Sequence, residues 1–323
     1  MLKMRKKNPL NRTYKKSHKE YVIGVDGGGT KTIAVLADLK GRILKTAETG
    51  PSSFVKVGLK KSVLNISDAI HKVLPITKKK EILSTFIALA AVEENKEYKN
   101  IIKKELFFET KISQIFNGKV TIESDQIAAF RSGTNKKDGV VLISGTGSVA
   151  HGWRGKKESH VSGWGWLADE GSAFWVGQKA YQAVFKELDG RGKKTLITNL
   201  LFKKFKTKKP GVLKKRIYLE NNIIKNVSLL SRLVDKASKK GDMIAKEILI
   251  NAGEELSLTA ITTIKELGLE QTEFPLVLAG GMFKCSIVLR KVKKEIKKIA
   301  SGVKFIRARE PVIGAVKLAI EQI

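Results

Sequence analysis

The chain has 323 residues, 42% of them hydrophobic, which is enough for two globular domains with separate cores. Its single cysteine, Cys285, excludes an intrachain disulfide framework and a multi-cysteine zinc or iron–sulfur site. The net charge of +31 raises the question of nucleic acid, but the lysines are spread in pairs and no recognition helix or finger spacing accompanies them.

We therefore expect a solvated basic surface and no specific nucleic-acid partner. No apolar run reaches the length of a membrane span, so we expect no membrane association. Residues 1–19 are basic, contain no acid and lack the apolar core of a secretory signal. They are predicted to form a disordered arm on a cytoplasmic protein.

The first half opens as an antiparallel strand meander, followed by helices alternating with strands. The predicted strands are Tyr21–Val25, Thr32–Ala37, Ile43–Thr49, Ile82–Val92 and Val120–Ile122. The predicted helices are Val57–Leu74, which Pro75 ends, Tyr98–Phe108 and Gln126–Arg131.

The second half follows the polar link Ser132–Asp138 and opens in the same way, with a strand, a glycine-rich turn and further strands. The predicted strands are Val140–Ser144, Ser148–Trp153, Glu158–Val161, Leu276–Ala279 and Val303–Ile306, with mainly helical sequence from Ala173 to Leu267 and a last helix at Ile313–Ile320. This pattern predicts two α/β domains on mixed sheets. We assign them to residues 20–134 and 135–310, the latter with a helical insertion, and expect residues 311–323 to pack on the first.

The first candidate site is the turn that follows Val25. Gly28, Gly29, Thr30 and Lys31 offer backbone N–H groups, a hydroxyl and an ammonium to a phosphate. Asp26, at the strand end, is the candidate Mg²⁺ residue. The alternative is an ordinary hairpin turn, although such a turn does not need three consecutive glycines.

The second candidate phosphate turn contains Gly145, Thr146 and Gly147. The glycine spacing formally matches a dinucleotide fingerprint, but the residues after it read as a strand rather than the required helix. No G-x-x-x-x-G-K-[S/T] motif is present, which excludes a P-loop enzyme. A second phosphate hairpin is the better interpretation.

Asp125 lies at a predicted strand-to-helix junction, where an acid can accept the proton of an attacking hydroxyl. The alternative is a helix N-cap, a position that suits Asp and Ser equally. From these residues alone, capping is the preferred interpretation.

Two tryptophans, Trp164 and Trp166, lie among glycines and precede Asp169. Aromatic faces pack on sugar rings and carboxylates accept sugar hydroxyls, so this segment suits a sugar. The tryptophans can equally be core residues, with Asp169 or Ser172 capping the next helix. The glycine pair Gly280-Gly281 would let an adenosine lie against the backbone. The alternative is an ordinary Gly-Gly turn without a ligand.

At these motifs the chain resembles the BadF/BadG/BcrA/BcrD ATPase family, and within it most of all the N-acetylglucosamine kinases. The resemblance runs from Tyr21 to Ile320 and is most specific at Val22–Thr32, Gly139–Ser148 and Gly163–Trp175. It implies two ribonuclease-H-like domains of the actin-like ATPase fold, with ATP in the cleft between them. It also implies a cytoplasmic homodimer.

The resemblance carries roles to matching positions. It makes Thr30 and Thr146 contacts to ATP phosphates, Asp26 the metal-associated carboxylate, and Asp125 the base that also contacts the sugar, which reverses the preference for capping. The remaining sugar-contacting positions are Gly163, Trp164, Gly165 and Asp169, and Gly280-Gly281 lies where the family holds adenosine.

This chain departs from the family pattern at three places. Ser53 stands where the family often has a sugar-contacting Asn, Ala168 where it has Gly, and Ala90-Ala91 where it often has Ala-Gly. The Ser53 departure weakens N-acetylglucosamine relative to glucosamine, N-acetylmuramate or another hexose.

The predicted reaction is phosphoryl transfer from ATP, with Mg²⁺, to a sugar hydroxyl, the 6-hydroxyl by preference. The alternative is a BadF-type ATPase or regulatory nucleotide-binding protein without sugar kinase activity. An activator of a 2-hydroxyacyl-CoA dehydratase needs cluster-bridging cysteines, which a single Cys285 does not provide.

Overall fold

The computed structural model describes residues 20–74, 82–90, 92, 96–109, 118–219 and 223–323; the predicted arm and Pro75 lie outside them. The strands are β1 (Tyr21–Gly27), β2 (Thr32–Asp38), β3 (Ile43–Thr49), β4 (Ile82–Leu89), β5 (Lys119–Ser124), β6 (Gly139–Ser144), β7 (Ser148–Arg154), β8 (Lys157–Ser162), β9 (Phe274–Ala279) and β10 (Val303–Arg307). The helices are α1 (Phe54–Val57), α2 (Leu59–Val73), α3 (Lys96–Glu109), α4 (Asp125–Gly133), α5 (Ala173–Leu188), α6 (Leu196–Lys204), α7 (Pro210–Leu219), α8 (Ile223–Lys239), α9 (Met243–Glu266), α10 (Ser286–Ile299) and α11 (Pro311–Ile320).

The strands form two five-stranded sheets with the same topology. The first has the order β3-β2-β1-β4-β5 and the second the order β10-β9-β6-β7-β8. In each, the first three strands in sequence form an antiparallel meander, and the two later strands add in parallel to the edge of the first strand. The predicted α/β fold class and the predicted similarity of the two halves are confirmed.

The helix predicted at Val57–Leu74 is confirmed as α2, with slightly narrower bounds. A short helix before it, α1, was not predicted, and Gly58 separates the two. Gly58 adopts φ +78°, a positive value that glycine adopts without steric cost. Helix α1 contacts the first glycine-rich turn through Lys56.

The first sheet is covered on both faces. On one face, α2 buries Val63, Ile66 and Ile70 against the β strands. On the other face lie α4 and the last helix, α11, whose Val312 and Val316 join the core around β1 and β4. The second sheet packs against α9 and α10, and α5 and α8 pack on α9, in the largest core of the described chain.

Helix α4 contacts both sheets. Its Ala128 belongs to the core of the first sheet, while Ala129 and Phe130 pack against Val141 and Val277 of the second. Helix α11 crosses α4 closely at Gly314, where an added Cβ would lie 1.8 Å from a backbone oxygen of α4. A residue at the start of α4 therefore has a position that is set by both halves of the molecule.

Within the described ranges, no helix combines the length and the apolar character that crossing a bilayer requires.

Candidate active site

The predicted phosphate and adenosine turns and Asp125 lie where parallel strands end. In the first sheet, β1, β4 and β5 run in parallel and end at Gly27, Leu89 and Ser124. In the second sheet, β6 and β9 run in parallel and end at Ser144 and Ala279. The carboxyl edge of parallel strands is the usual ligand-binding edge of an α/β sheet, and each glycine-rich turn begins there.

The first glycine-rich turn, residues 28–31, is a closed hairpin held against the segment before α1. The N–H of Gly28 donates to the Lys31 carbonyl at 3.0 Å. The Gly28 carbonyl accepts the N–H groups of Ser52 and Ser53 at 3.0 and 3.2 Å. Ser53, the predicted sugar-contacting residue, therefore lies directly beside the hairpin, while Thr30 is exposed at its tip.

Ser53 is the N-cap of α1, but its side chain makes no capping hydrogen bond. The side chain is largely buried. A buried hydroxyl at a helix start that is not used as the cap is available as a contact for a polar ligand. Its position is consistent with the predicted sugar contact.

Two lysines flank the first hairpin. Lys31 pairs with Glu48 at 2.9 Å on the exposed surface. Lys56, which sequence reasoning missed, donates from its ammonium to the Gly29 carbonyl. The sequence signal for this contact was the closeness of Lys56 to Ser53.

Asp26 carries an unusual carboxyl group. Burial first, and then repulsion from Glu310, raise the pKa of Asp26 from 3.8 to about 6, while Lys31 lowers it. Glu310 stands at the N-cap of α11, so it comes from the far end of the chain, and sequence reasoning missed it. Two carboxylates that repel each other form a place where a cation would be stabilised.

The donor chemistry fits Mg²⁺. The ion prefers oxygen ligands and is commonly held by one or two carboxylates together with waters and substrate phosphates. In the part of the chain that the structure describes, no group of three or more His, Cys, Asp or Glu side chains is arranged to hold a metal. Asp26 and Glu310 would thus supply only part of a coordination shell.

The second glycine-rich turn, residues 145–147, is closed by the Gly145 N–H donating to the Gly147 carbonyl at 2.9 Å. The first N–H of α5, from Ala173, donates to the Gly145 carbonyl at 2.8 Å. A Cβ on Gly147 would lie 2.4 Å from a carboxylate oxygen of Asp169, whereas a Cβ on Gly145 would meet nothing within 4 Å. Gly147 is thus needed for packing, and the face of Gly145 is open.

The Gly280-Gly281 turn follows β9 and lies against this hairpin. A Cβ on Gly280 would lie 2.2 Å from the Ser144 carbonyl oxygen. Both glycines are exposed. The predicted adenosine position and the predicted second phosphate hairpin are therefore neighbours.

Asp169 organises the segment between β8 and α5. Its carboxylate is 4% exposed and accepts the N–H groups of Gly163, Gly165 and Ser148 at 3.1, 3.2 and 3.2 Å. Burial raises the pKa of Asp169, and these hydrogen bonds oppose the rise. The structure brings Asp169, Gly163 and Gly165 together with the second hairpin. The hydrogen bonds that the Asp169 carboxylate accepts come from backbone N–H groups of the protein itself.

The two tryptophans of this segment differ. Trp164 is 71% exposed, so the interpretation of Trp164 as a core residue is wrong. Trp166 packs edge-on against Phe174, with ring centroids 4.7 Å apart, and joins the core as that interpretation expected. Ser172 caps α5 by accepting the Trp175 N–H at 3.2 Å.

Asp125 is the first residue of α4 and is half-buried. The N-cap is the preceding residue, Ser124, whose hydroxyl accepts the Gln126 N–H at 3.1 Å. The capping interpretation of Asp125 is therefore wrong. A carboxylate in the first turn is favoured by the helix dipole, and this one stands at the carboxyl edge of the first sheet.

Comparisons with known proteins agree with this arrangement. The model of the BadF/BadG/BcrA/BcrD ATPase family matches residues 23–319. The chain is 32% identical over 268 residues to the N-acetylmuramic acid/N-acetylglucosamine kinase of Clostridium acetobutylicum, covering 81% of this chain and 85% of that protein. It is also 32% identical over 278 residues to the N-acetyl-D-glucosamine kinase of Dictyostelium discoideum, with the same coverage.

Among solved structures, a proposed N-acetylglucosamine kinase from Chromobacterium violaceum superimposes with a TM-score of 0.71 and 22% identity, covering 94% of this chain and 99% of that one. At this identity the likeness establishes the shared two-domain fold.

Proposed function

The chain belongs to the BadF/BadG/BcrA/BcrD ATPase family, and from this premise we propose that it is an ATP-dependent sugar kinase. Its two relatives at 32% identity are kinases of N-acetylglucosamine, one of them also of N-acetylmuramic acid. The proposed reaction transfers the γ-phosphoryl group of ATP to an N-acetylated amino sugar, at the 6-hydroxyl.

One observation carries the proposal more than any other. Two sheets of the same topology each present a closed glycine hairpin at the carboxyl edge of their first strand, and Asp125 begins the helix that packs between these sheets. A nucleotide between the hairpins and a sugar beside Asp125 would share one reaction centre.

The two hairpins bind phosphate oxygens in this proposal. N–H groups of residues 28–31 and 145–147, with the hydroxyls of Thr30 and Thr146, would donate to the phosphates of ATP. Lys56 adds a positive charge beside Gly29. Gly280 and Gly281 leave room for the adenosine against exposed backbone. Phosphoryl transfer depends mainly on such positioning and charge stabilisation.

Asp26 and Glu310 would hold Mg²⁺ together with phosphate oxygens. When bound, the ion neutralises charge on the transferring phosphoryl group. Binding would also remove the repulsion between the two carboxylates, which is one of the causes of the raised pKa of Asp26.

Asp125 is the proposed base that orients the sugar hydroxyl and accepts its proton. Trp164 has an exposed aromatic face on which the sugar ring would pack. N–H groups and hydroxyls near Trp164 would select the sugar by hydrogen bonds. Ser53 contacts the sugar from the first half. We propose that Asp169 acts by holding the Gly163–Gly165 loop against the second hairpin rather than by direct contact alone.

The test is ADP release with Mg-ATP across N-acetylglucosamine, N-acetylmuramic acid, glucosamine and glucose, with the product position read by phosphorus NMR. Strong stimulation by one N-acetylated sugar supports the proposal and names the substrate. ATP binding without stimulation by any sugar would favour the ATPase or regulatory nucleotide-binding alternative.

An ATP-dependent reaction on a small sugar is expected in the cytoplasm, where ATP is made. A homodimer stays a prediction that sedimentation would check.

A further inference from the structure

A buried polar network joins the first turn of α4 to the second sheet. Gln126 and His151 are 6% and 5% exposed. The Oε1 atom of Gln126 lies 2.7 Å from Nδ1 of His151, and Nε2 of His151 lies 2.7 Å from a carboxylate oxygen of Glu158. The Gln126 amide nitrogen completes the set, 3.4 Å from Nε2 of His160.

Both ring nitrogens of His151 have hydrogen-bond partners. Nδ1 contacts the Gln126 side-chain amide and Nε2 contacts the Glu158 carboxylate, so two partners on opposite sides of the imidazole fix its orientation. The Gln126 amide also contacts His160, so this one side chain joins α4 to both histidines.

Aromatic packing holds the imidazole in place. The His151 ring stacks on Trp153 with centroids 4.2 Å apart, and His160 meets it edge-on at 5.1 Å. Trp153 in turn packs against Phe130 of α4 and donates from its indole nitrogen to Glu158 at 3.2 Å. Because packing and hydrogen bonds fix the His151 ring on several sides, the ring restrains the position of its partner Gln126.

One end of the network lies beside the proposed base, and the other lies on the strand that follows the second phosphate hairpin. Gln126 directly follows Asp125 in the first turn of α4. His151 lies on β7, which begins at Ser148 immediately after the second phosphate hairpin. A displacement of β7 relative to α4 would therefore change the distance between the proposed base and the proposed phosphate site.

We infer that His151 is a positioning residue, which through Gln126 sets the carboxylate of Asp125 against the nucleotide held by the second hairpin. This inference rests on the proposed function. Displacements of about 1 Å at a reaction centre cost on the order of 10²-fold in rate, so a network that fixes this spacing has a large effect on turnover without touching substrate.

The experiment is a double-mutant cycle between His151→Leu and Asp125→Asn, with N-acetylglucosamine or whichever sugar stimulates the wild type. His151→Leu is expected to lower kcat about 10- to 100-fold while the Kd for ATP changes less than about twofold. In the Asp125→Asn background the same change is expected to have almost no further effect, because its influence passes through the carboxylate that is already absent.

Gln126→Ala removes the same link from the other side and is expected to reproduce the result if His151→Leu folds poorly. The matched control is Val140→Ala. Val140 pairs in register with Gly152, and its side chain belongs to the core on the opposite face of the second sheet, so this variant loses apolar packing without removing a contact of the network. It is expected to lower the melting temperature but keep kcat near that of the wild type.

Equal losses of kcat in both Asp125 backgrounds, or wild-type kcat in both His151→Leu and Gln126→Ala, would overturn the inference. A wild type that no sugar stimulates would instead overturn the proposed function, so the two failures are distinguishable.

Discussion

A carboxylate oxygen of Asp169 lies 3.2 Å from the backbone nitrogen of Ser148, while the other oxygen of the same group accepts the N–H groups of Gly163 and Gly165. One buried carboxylate thus joins the second phosphate hairpin to the loop that carries the exposed Trp164. The proposed nucleotide and sugar contacts in the second half therefore depend on a single side chain.

We expect Asp169→Ala to impair both ligands. Three backbone donors lose their acceptor, which costs about 2–5 kcal/mol of unfolding free energy, and KM is expected to rise for both ATP and the sugar. Asp169→Asn keeps one side-chain oxygen as an acceptor, so its stability and its KM values are expected to lie between those of Asp169→Ala and the wild type. A rise in KM for the sugar alone would instead indicate a direct sugar contact.

The two glycines of the second hairpin are expected to respond differently to alanine. Gly147→Ala forces a Cβ against Asp169, so it should lower the melting temperature. Gly145→Ala finds open space in the protein and should keep the wild-type melting temperature, yet it should weaken ATP binding about tenfold or more by blocking the approach of a phosphate. Calorimetric titration with ATP and thermal unfolding of both variants separate these effects. Wild-type ATP affinity in Gly145→Ala would contradict phosphate binding at this turn.

Lys56 is expected to contribute charge at the first hairpin. Lys56→Met should raise the KM for ATP about threefold to tenfold, with an effect that shrinks as salt is added, because an exposed charge is screened. Lys60→Met removes an exposed lysine from the neighbouring helix α2 and serves as the control. Steady-state kinetics at two ionic strengths check this, and equal effects of the two variants would show that only overall charge matters.

The raised pKa of Asp26 predicts a stability profile without ligands. Because the pKa in the folded state is about 6, against 3.8 ordinarily, the folded protein binds this proton more tightly than the unfolded chain does. The contribution of Asp26 to the free energy of unfolding therefore falls as pH rises from about 4 to about 6, and stays low above that.

Asp26→Asn should remove this fall and stabilise the metal-free protein by about 2–3 kcal/mol at pH 7, while it abolishes Mg²⁺-dependent ATP binding. Urea unfolding between pH 4 and 8 measures the profile. Asp38→Asn is the control with the opposite sign, since its hydrogen bonds with Arg42 lower the pKa of Asp38 and its contribution is lost as pH falls. An unchanged profile in Asp26→Asn would rule out this carboxyl as its source.

Much of the fold follows from local sequence. The meander of β1, β2 and β3, the repetition of that pattern after Gly139, and both glycine hairpins are all visible as alternation of apolar runs with glycine-rich turns. The short helix α1 was missed because four residues are too few to show a helical period, and the positive φ of Gly58 that separates it from α2 is visible only in the backbone.

The contacts between distant segments were not predictable in the same way. Glu310 repels Asp26 across 284 positions of sequence, and Gln126 meets His151 only because α4 packs on the second sheet. Such pairs carry no local pattern, since packing of the two sheets on α4 and α11 creates them. The capping role of Ser124 in place of Asp125 also needed geometry, because both residue types are good caps.

Asp125 is the proposed base of the sugar phosphorylation. Sugar-stimulated ADP formation should be measured with Mg-ATP in the wild type and Asp125→Asn, alongside ATP affinity and melting temperature. We predict a loss of about 10²–10⁴ in kcat with near wild-type ATP affinity and stability, because Ser124 still caps α4. Wild-type turnover in Asp125→Asn would contradict the role of Asp125 as the base.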